Sequence, residues 1–204
     1  MSVPDRYSSF ARLAEAETEG TDYRIHTASR PPPIVIIAPH GGAIEPGTSE
    51  IAAAIARNAY SLYCFEGLKP DRAHADLHIT SEQFDEPHCV RIVESSEIAV
   101  AIHGRSDRDD TESVWLGGAD VKLRDSIAAM LALAGLKSKT SGHSLPGVSR
   151  SNICNRARKA GAQLEIPRML RDNLIKDHAA LDTFSTAVRD AIELRHKELT
   201  QRSV

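Results

Sequence analysis

IVIIAPHGGAIEPGTSEIAAAIA, residues 34–56, is the stretch that decides the fold. It opens on Ile34 to Ala38, a run apolar at every position. Such a run marks a strand buried on both faces, as in a parallel or mixed sheet. It closes on helix material, where Thr48 or Ser49 can serve as the N-cap and Glu50 stands in the first turn. The loop between holds His40, Gly41, Gly42, Glu45, Pro46 and Gly47. A loop that only joins a strand to a helix rarely needs both an imidazole and a carboxylate.

The same alternation of strand and helix patterns extends in both directions. Upstream, a helix over residues 8–17 and a polar lead-in end at Pro31-Pro32-Pro33, which no helix can cross. Downstream, SLYCFEG (61–67), DLHIT (76–80), EIAVAIHG (97–104), SVWLGG (113–118) and AQLEIP (162–167) read as strands. EPHCVRIVESS (86–96), with Pro87 near its start, and ADVKLRDSIAAMLALAG (119–135) read as helices, and from Arg168 onward the chain is mostly helical. Residues 143–161 are loop-rich. The expectation is one α/β domain over residues 1–204, with a central, mainly parallel or mixed sheet flanked by helices.

Composition narrows the function classes. A net charge of -3 gives no electrostatic drive toward nucleic acid or an anionic membrane surface. No apolar run approaches the ~20 residues a membrane helix needs, and the N-terminus lacks a secretory pattern. Cys64, Cys89 and Cys154 have no C-x-x-C spacing and read as reduced thiols, so a cytoplasmic location is expected.

His40 and His103 each follow an apolar strand and precede a glycine. That position is the carboxyl edge of an open sheet, where ligands bind. Glu45 lies five residues past His40, in a loop whose Gly41 and Gly42 permit it to fold back. Two imidazoles and a carboxylate make the three-ligand set of a catalytic zinc, with a fourth position for water. The ordinary alternative is that each histidine only hydrogen-bonds its loop. The other histidines, His74, His78, His88, His143, His178 and His196, read as surface or structural. Glu165 stands in an otherwise apolar strand, where a carboxylate is costly unless paired, bound or used. It fits a general base of raised pKa, or else a salt bridge to Arg168 or Arg171. Residues 150–171 hold six basic side chains against that one acid, which suits an acidic ligand or a solvated basic face.

Taken together, IIAPHGGAIEPGTSEIA, CFEG, LHITS, FDEP, AIHG, Gly117-Gly118 with Asp120, NICNR and QLEI resemble the poly-γ-glutamate hydrolase family, zinc enzymes first associated with bacteriophages. The matching pieces run in order from residue 34 to about 171. The resemblance implies a reduced zinc-carboxypeptidase-like α/β fold, a monomer, one Zn2+ per chain held by His40, Glu45 and His103, and Glu165 as base. It also implies that Asn155-Arg156 is similar to the Asn-Arg pair with which carboxypeptidases hold a substrate carboxylate. In that reading Arg105 or Arg156 steadies the oxyanion, and Arg150 and Arg168 add to a groove for an acidic polymer or a small acidic amide. Asp76, Asp85 and Asp120 are available to support the ligand histidines. A phage-derived protein released on lysis is one setting the family implies. Two rivals remain at this point: a zinc deacylase of small N-acyl amino acids such as N-formylglutamate, and a non-catalytic anion-binding protein.

Overall fold

The computed structural model describes residues 4–31 and 33–201, so Pro32 of the triple-proline stop and both chain ends lie outside the described residues. Among the described residues, seven strands form a single sheet: β1 (Tyr23–Ala28), β2 (Ile34–Gly42), β3 (Ser61–Gly67), β4 (Ile98–Arg105), β5 (Val114–Gly117), β6 (Ser138–Lys139) and β7 (Gly161–Pro167). Their spatial order is β1-β3-β2-β4-β7-β5-β6. The β2/β3, β2/β4, β4/β7 and β5/β6 pairs are parallel, and β1/β3 and β5/β7 are antiparallel. The sheet is therefore mixed with a parallel centre, as the apolar runs imply.

The helices are α1 (Phe10–Ala16), α2 (Thr48–Ala56), α3 (Pro87–Ser95), α4 (Val121–Leu133), α5 (Arg168–Lys176) and α6 (His178–Gln201). Alternation along the strands sorts the core into two layers. Ile36, Val100, Ile102 and Leu164 pack on Ile51 and Ile55 of α2, Ile127 of α4 and Val188 of α6. Val35, Ile37, Tyr63 and Ala101 pack on the opposite side with Leu13 of α1, Val93 of α3 and the loop residues Ile79 and Phe84. Each large aliphatic side chain so buried contributes roughly 1.5–3 kcal/mol. All three cysteines are buried and free. Among the described residues no helix is long and apolar enough to cross a membrane.

DLHIT and the polar lead-in depart from the sequence reading. DLHIT is not a strand: its Asp76 ends a short 3-10 helix, His74–Asp76, and the rest continues as turn and loop. Its alternation is real, since Leu77 and Ile79 are buried, but it serves packing beneath the sheet and not strand pairing. The polar lead-in contains β1, whose charged and exposed positions suit a sheet edge.

Topology fixes where a ligand can bind. From β2 the chain passes through α2 to β3 on one side, then through α3 to β4 on the other side of β2. The carboxyl ends of β2 and β4 thus form the switch point of the sheet, the usual place for a ligand crevice.

Candidate active site

Strand register assembles the site. In β4, Ala99 and Ala101 face the α1/α3 layer, so His103 continues that face. His103 lies opposite Glu165 of β7, and Glu165 lies opposite Trp115 of β5. Three side chains from three adjacent strands therefore stand in a row. On β2, Ile37 pairs with Ala101, and two further residues would bring Pro39 opposite His103. A β-bulge between Ala38 and Gly41 inserts one residue, and His40 takes that place. Strict alternation from Ile36 and Ala38 would send His40 to the α2 side. Instead its ring packs against Phe84 and its Nε2–H donates to the Ile79 carbonyl at 2.8 Å.

The loop after the bulge is folded back on itself. The Glu45 N–H donates to the His40 carbonyl at 2.9 Å, and Ala43 N–H to Gly67 at 2.9 Å. Gly41 and Gly42 are required by close approach: a Cβ on Gly42 would lie 2.4 Å from the Gly67 carbonyl oxygen, and Gly42 has a φ of +60°. Thr48 does not cap α2, whose N-cap is Gly47. Its hydroxyl donates to the Glu45 carbonyl at 2.8 Å, fixing the ligand loop.

Three of the expected site residues converge. His40 Nδ1 lies 3.2 Å from His103 Nδ1 and 3.5 Å from Glu45 Oε1, and His103 Nδ1 is 3.9 Å from Glu45 Oε2. All three residues are buried. Because a carbonyl only accepts, His40 carries its hydrogen on Nε2, and the Nδ1 of the neutral ring bears a lone pair. Two imidazole nitrogens and a carboxylate oxygen facing one another in a buried space require a shared proton or a cation between them. Two nitrogens bound at ~2.0–2.1 Å in a tetrahedral arrangement would stand about 3.3 Å apart, so the donor set fits a zinc ion. Burial opposes charge on His40, but the facing Glu45 carboxylate outweighs it and raises the pKa. Burial likewise opposes charge on Glu45, and the imidazoles hold it well below the usual carboxylate range. His103, buried and beside His40, is lowered to about 4.

Glu165 stands beside His103 by strand register. Its Oε1 accepts from Gln163 Nε2 at 3.0 Å, and Gln163 is in turn held by Asn152 at 2.8 Å. The alternative salt bridge to Arg168 or Arg171 does not form among the described residues; Arg168 pairs with Asp172 at 2.8 Å. Burial pushes Glu165 up to about 8, aided by the negative charge of Glu45 and offset in part by Arg105 and Arg171.

The remaining expected residues divide. Arg105 and Arg168 line the cleft, which has a volume of about 870 Å³. Arg105 stacks over Trp115 at 4.0 Å and commits its terminal nitrogens to the carbonyls of Ser106, Asp110 and Ser113. It offers charge to the site more than a free fork. Arg156 and Arg150 do not line this cleft; Arg156 is held by Glu94 at 2.6 and 3.2 Å. Asn155 spends its side chain on Ala119 N–H and on the carbonyls of Gly147 and Ser149, pinning a cleft-wall loop. The Asn-Arg pair therefore does not stand as a substrate clamp in this structure. The candidate ligand histidines are not supported by Asp76, Asp85 or Asp120 either: His40 uses the Ile79 carbonyl and His103 Nε2 faces Ser81 Oγ at 3.3 Å. Asp120 instead caps α4 and pairs with Arg195 at 2.9 Å.

The sequence reading missed His74, His78, Trp115 and the role of Arg171. The H-x-x-x-H spacing at 74–78 was the available signal for the first two. Arg171 is buried among three carbonyls, those of Pro46, Ile166 and Arg105, each one or two residues past Glu45, Glu165 or His103. One guanidinium thus ties together the backbones of two candidate ligands and of the candidate base. Gly104 makes room for it: a Cβ there would sit 2.5 Å from Arg171 Cζ. Removing this donor leaves several buried acceptors unpaired, at ~1–3 kcal/mol each. Arg171→Met is expected to lower unfolding stability by roughly 3 kcal/mol, read by urea denaturation; a loss below about 1 kcal/mol would contradict the tie.

Residues 7–192 match the family described as poly-γ-glutamate hydrolase. The chain is 35% identical over 164 residues to UPF0714 protein YndL of Bacillus subtilis (strain 168), covering 79% of this chain and 63% of that protein. It is 33% identical over 192 residues to the SPbeta prophage-derived UPF0714 protein YoqZ of the same organism, covering 93% and 66%. The chain thus spans less than two thirds of the length of these two relatives. Among solved structures, a bacteriophage poly-γ-glutamate hydrolase superposes with a TM-score of 0.88 at 30% identity, covering 96% of this chain and 99% of that one. Zinc-free apo YndL superposes with a TM-score of 0.80 at 29% identity, covering 93% and 98%. The N-acetylmuramoyl-L-alanine amidase AmiC2 of Nostoc punctiforme, with a TM-score of 0.52 at 12% identity over 80% of this chain and 97% of that one, shares the fold alone.

Proposed function

The chain belongs to the poly-γ-glutamate hydrolase family, and from that premise we propose that it is a zinc-dependent hydrolase of γ-glutamyl amide bonds in an acidic polymer or related peptide-like substrate. The observation that carries the reading is the register that sets Glu165 beside His103, at a buried cluster of two imidazoles and a carboxylate. His40, Glu45 and His103 would hold one zinc ion. When bound, it would supply Lewis-acid polarisation of the amide carbonyl and acidify a water molecule.

The chain's own groups do the rest. Glu165 takes a proton from the attacking water and returns it to the leaving nitrogen. Gln163 orients one carboxylate oxygen, and Trp115 stands opposite Glu165 on the neighbouring strand as a wall of the cleft. Arg105 and Arg171 place positive charge beside Glu165. Arg108 and Arg168, exposed on the cleft wall, suit the α-carboxylate that each γ-linked glutamyl unit carries. The cleft lies toward the top of the usual ~300–1,000 Å³ range for ligand sites, so it accommodates more than one such unit. A monomer acting alone suffices for this chemistry, with no nucleic acid or membrane as partner.

The test is cleavage by the zinc-loaded protein of γ-linked glutamate oligomers, α-linked oligomers and small N-acyl amino acids. Cutting of γ-linked oligomers alone is expected. Hydrolysis of N-formylglutamate with intact γ-linked oligomers would replace this substrate assignment with the deacylase reading, and hydrolysis of none would sink both.

A further inference from the structure

We infer that His74, His78 and Glu45 form a second, exchangeable site for a divalent metal of the zinc class at the mouth of the cleft. It shares Glu45 with the proposed catalytic cluster and rests on that reading for its neighbour; His78 stands within reach of His40 as well, and His74 belongs to this site alone.

The turn through the 3-10 helix His74–Asp76 brings the two histidines together: the His78 N–H donates to the His74 carbonyl at 3.1 Å, and the rings lie 4.3 Å apart. His74 Nε2 stands 3.5 Å from Glu45 Oε1. His78 offers a ring nitrogen within 4.8 Å of ligand atoms on both Glu45 and His40. Its Nδ1 lies 2.6 Å from Asp5 Oδ1, and the other Asp5 oxygen accepts the Thr80 N–H at 2.8 Å. A fixed carboxylate on one ring nitrogen is the arrangement that sets the tautomer of a metal-binding histidine and frees its Nε2. Two imidazoles and a carboxylate, with room for solvent, select a borderline-soft divalent ion over magnesium or calcium.

Position gives the site its consequence. The His74 side chain is about half exposed, and the main cleft meets a second cleft of about 550 Å³ at His74, His78 and Thr80. An ion here exchanges with solvent and stands where substrate enters, so excess zinc inhibits.

The experiment is a zinc-binding titration of the metal-free full chain. Two equivalents are expected, one tight and one weaker. In His74→Ala, a change at a half-exposed side chain that the fold tolerates, the weaker equivalent should lose more than about 100-fold in affinity, beyond what an outer-shell change costs. The tight one should persist, and inhibition by excess zinc should fall away. Asp5→Asn should weaken the second equivalent by a smaller factor. A single equivalent in the wild type, or a second one unchanged in His74→Ala, overturns the proposal. No tight equivalent in the wild type would instead overturn the catalytic cluster itself, and the shared-Glu45 site with it.

Discussion

Glu165→Gln is expected to lower kcat by roughly 10²–10⁴-fold while zinc content stays that of the wild type. The carboxylate is the only acid on its strand, set between His103 and Trp115 by register, and its side-chain hydrogen bond comes from Gln163. An amide in its place keeps the volume and the Gln163 neighbour but cannot accept a proton. The same variant carries a signature in stability. Burial raises Glu165 from an ordinary 4.5 to about 8 in the metal-free protein. Between those values the folded chain holds a proton that the unfolded chain has released, so stability falls as pH rises through that window. The stabilisation is full below pH 4.5 and lost toward pH 8, at about 1.4 kcal/mol per pKa unit. Metal-free Glu165→Gln should lack this decline. Denaturant melts of the two metal-free proteins across pH 4.5–8 should diverge by several kcal/mol. Parallel curves, or a kcat within tenfold of wild type, would remove Glu165 from the role of base.

His40→Ala and His103→Ala are each expected to lose stoichiometric zinc and hydrolysis together. Taking one donor of three weakens binding by more than about 100-fold, beyond the ~10–100-fold that outer-shell changes cost. The fold should survive. His40→Ala leaves the Ile79 carbonyl unpaired, a cost of ~1–3 kcal/mol. His103 sits at a strand end that the β4/β7 ladder holds on its own. Metal analysis after dialysis, with circular dichroism as the control, gives the answer. A folded His103→Ala protein that keeps one zinc would shift the ligand set toward His78.

Much of this architecture is legible from residue pattern, for stated physical reasons. The strands β2, β3, β4 and β7 are buried on both faces and read as mainly apolar runs. Histidines at the ends of two of them, and a glutamate on the face of a third, single out the switch point. The edge strand β1 escapes because its polar positions look like loop, and β6 is only two residues long. The bulge that aims His40 cannot be seen in composition, although the paired glycines permit it. His78 reads from sequence as a surface or structural histidine in a strand-like segment, whereas in the fold it turns toward Asp5 and the cleft. Asn155 and Arg156 show the opposite error: adjacency in sequence resembles a clamp, yet a 3-10 helix, Ile153–Arg156, spends one on a loop and the other on Glu94.

The most direct measurement is anomalous diffraction at the zinc edge from crystals grown with one equivalent of zinc. The account predicts one strong peak at ~2.0–2.2 Å from His40 Nδ1, His103 Nδ1 and a Glu45 carboxylate oxygen. A peak out of reach of any of these three, or no peak at stoichiometric zinc, would contradict it.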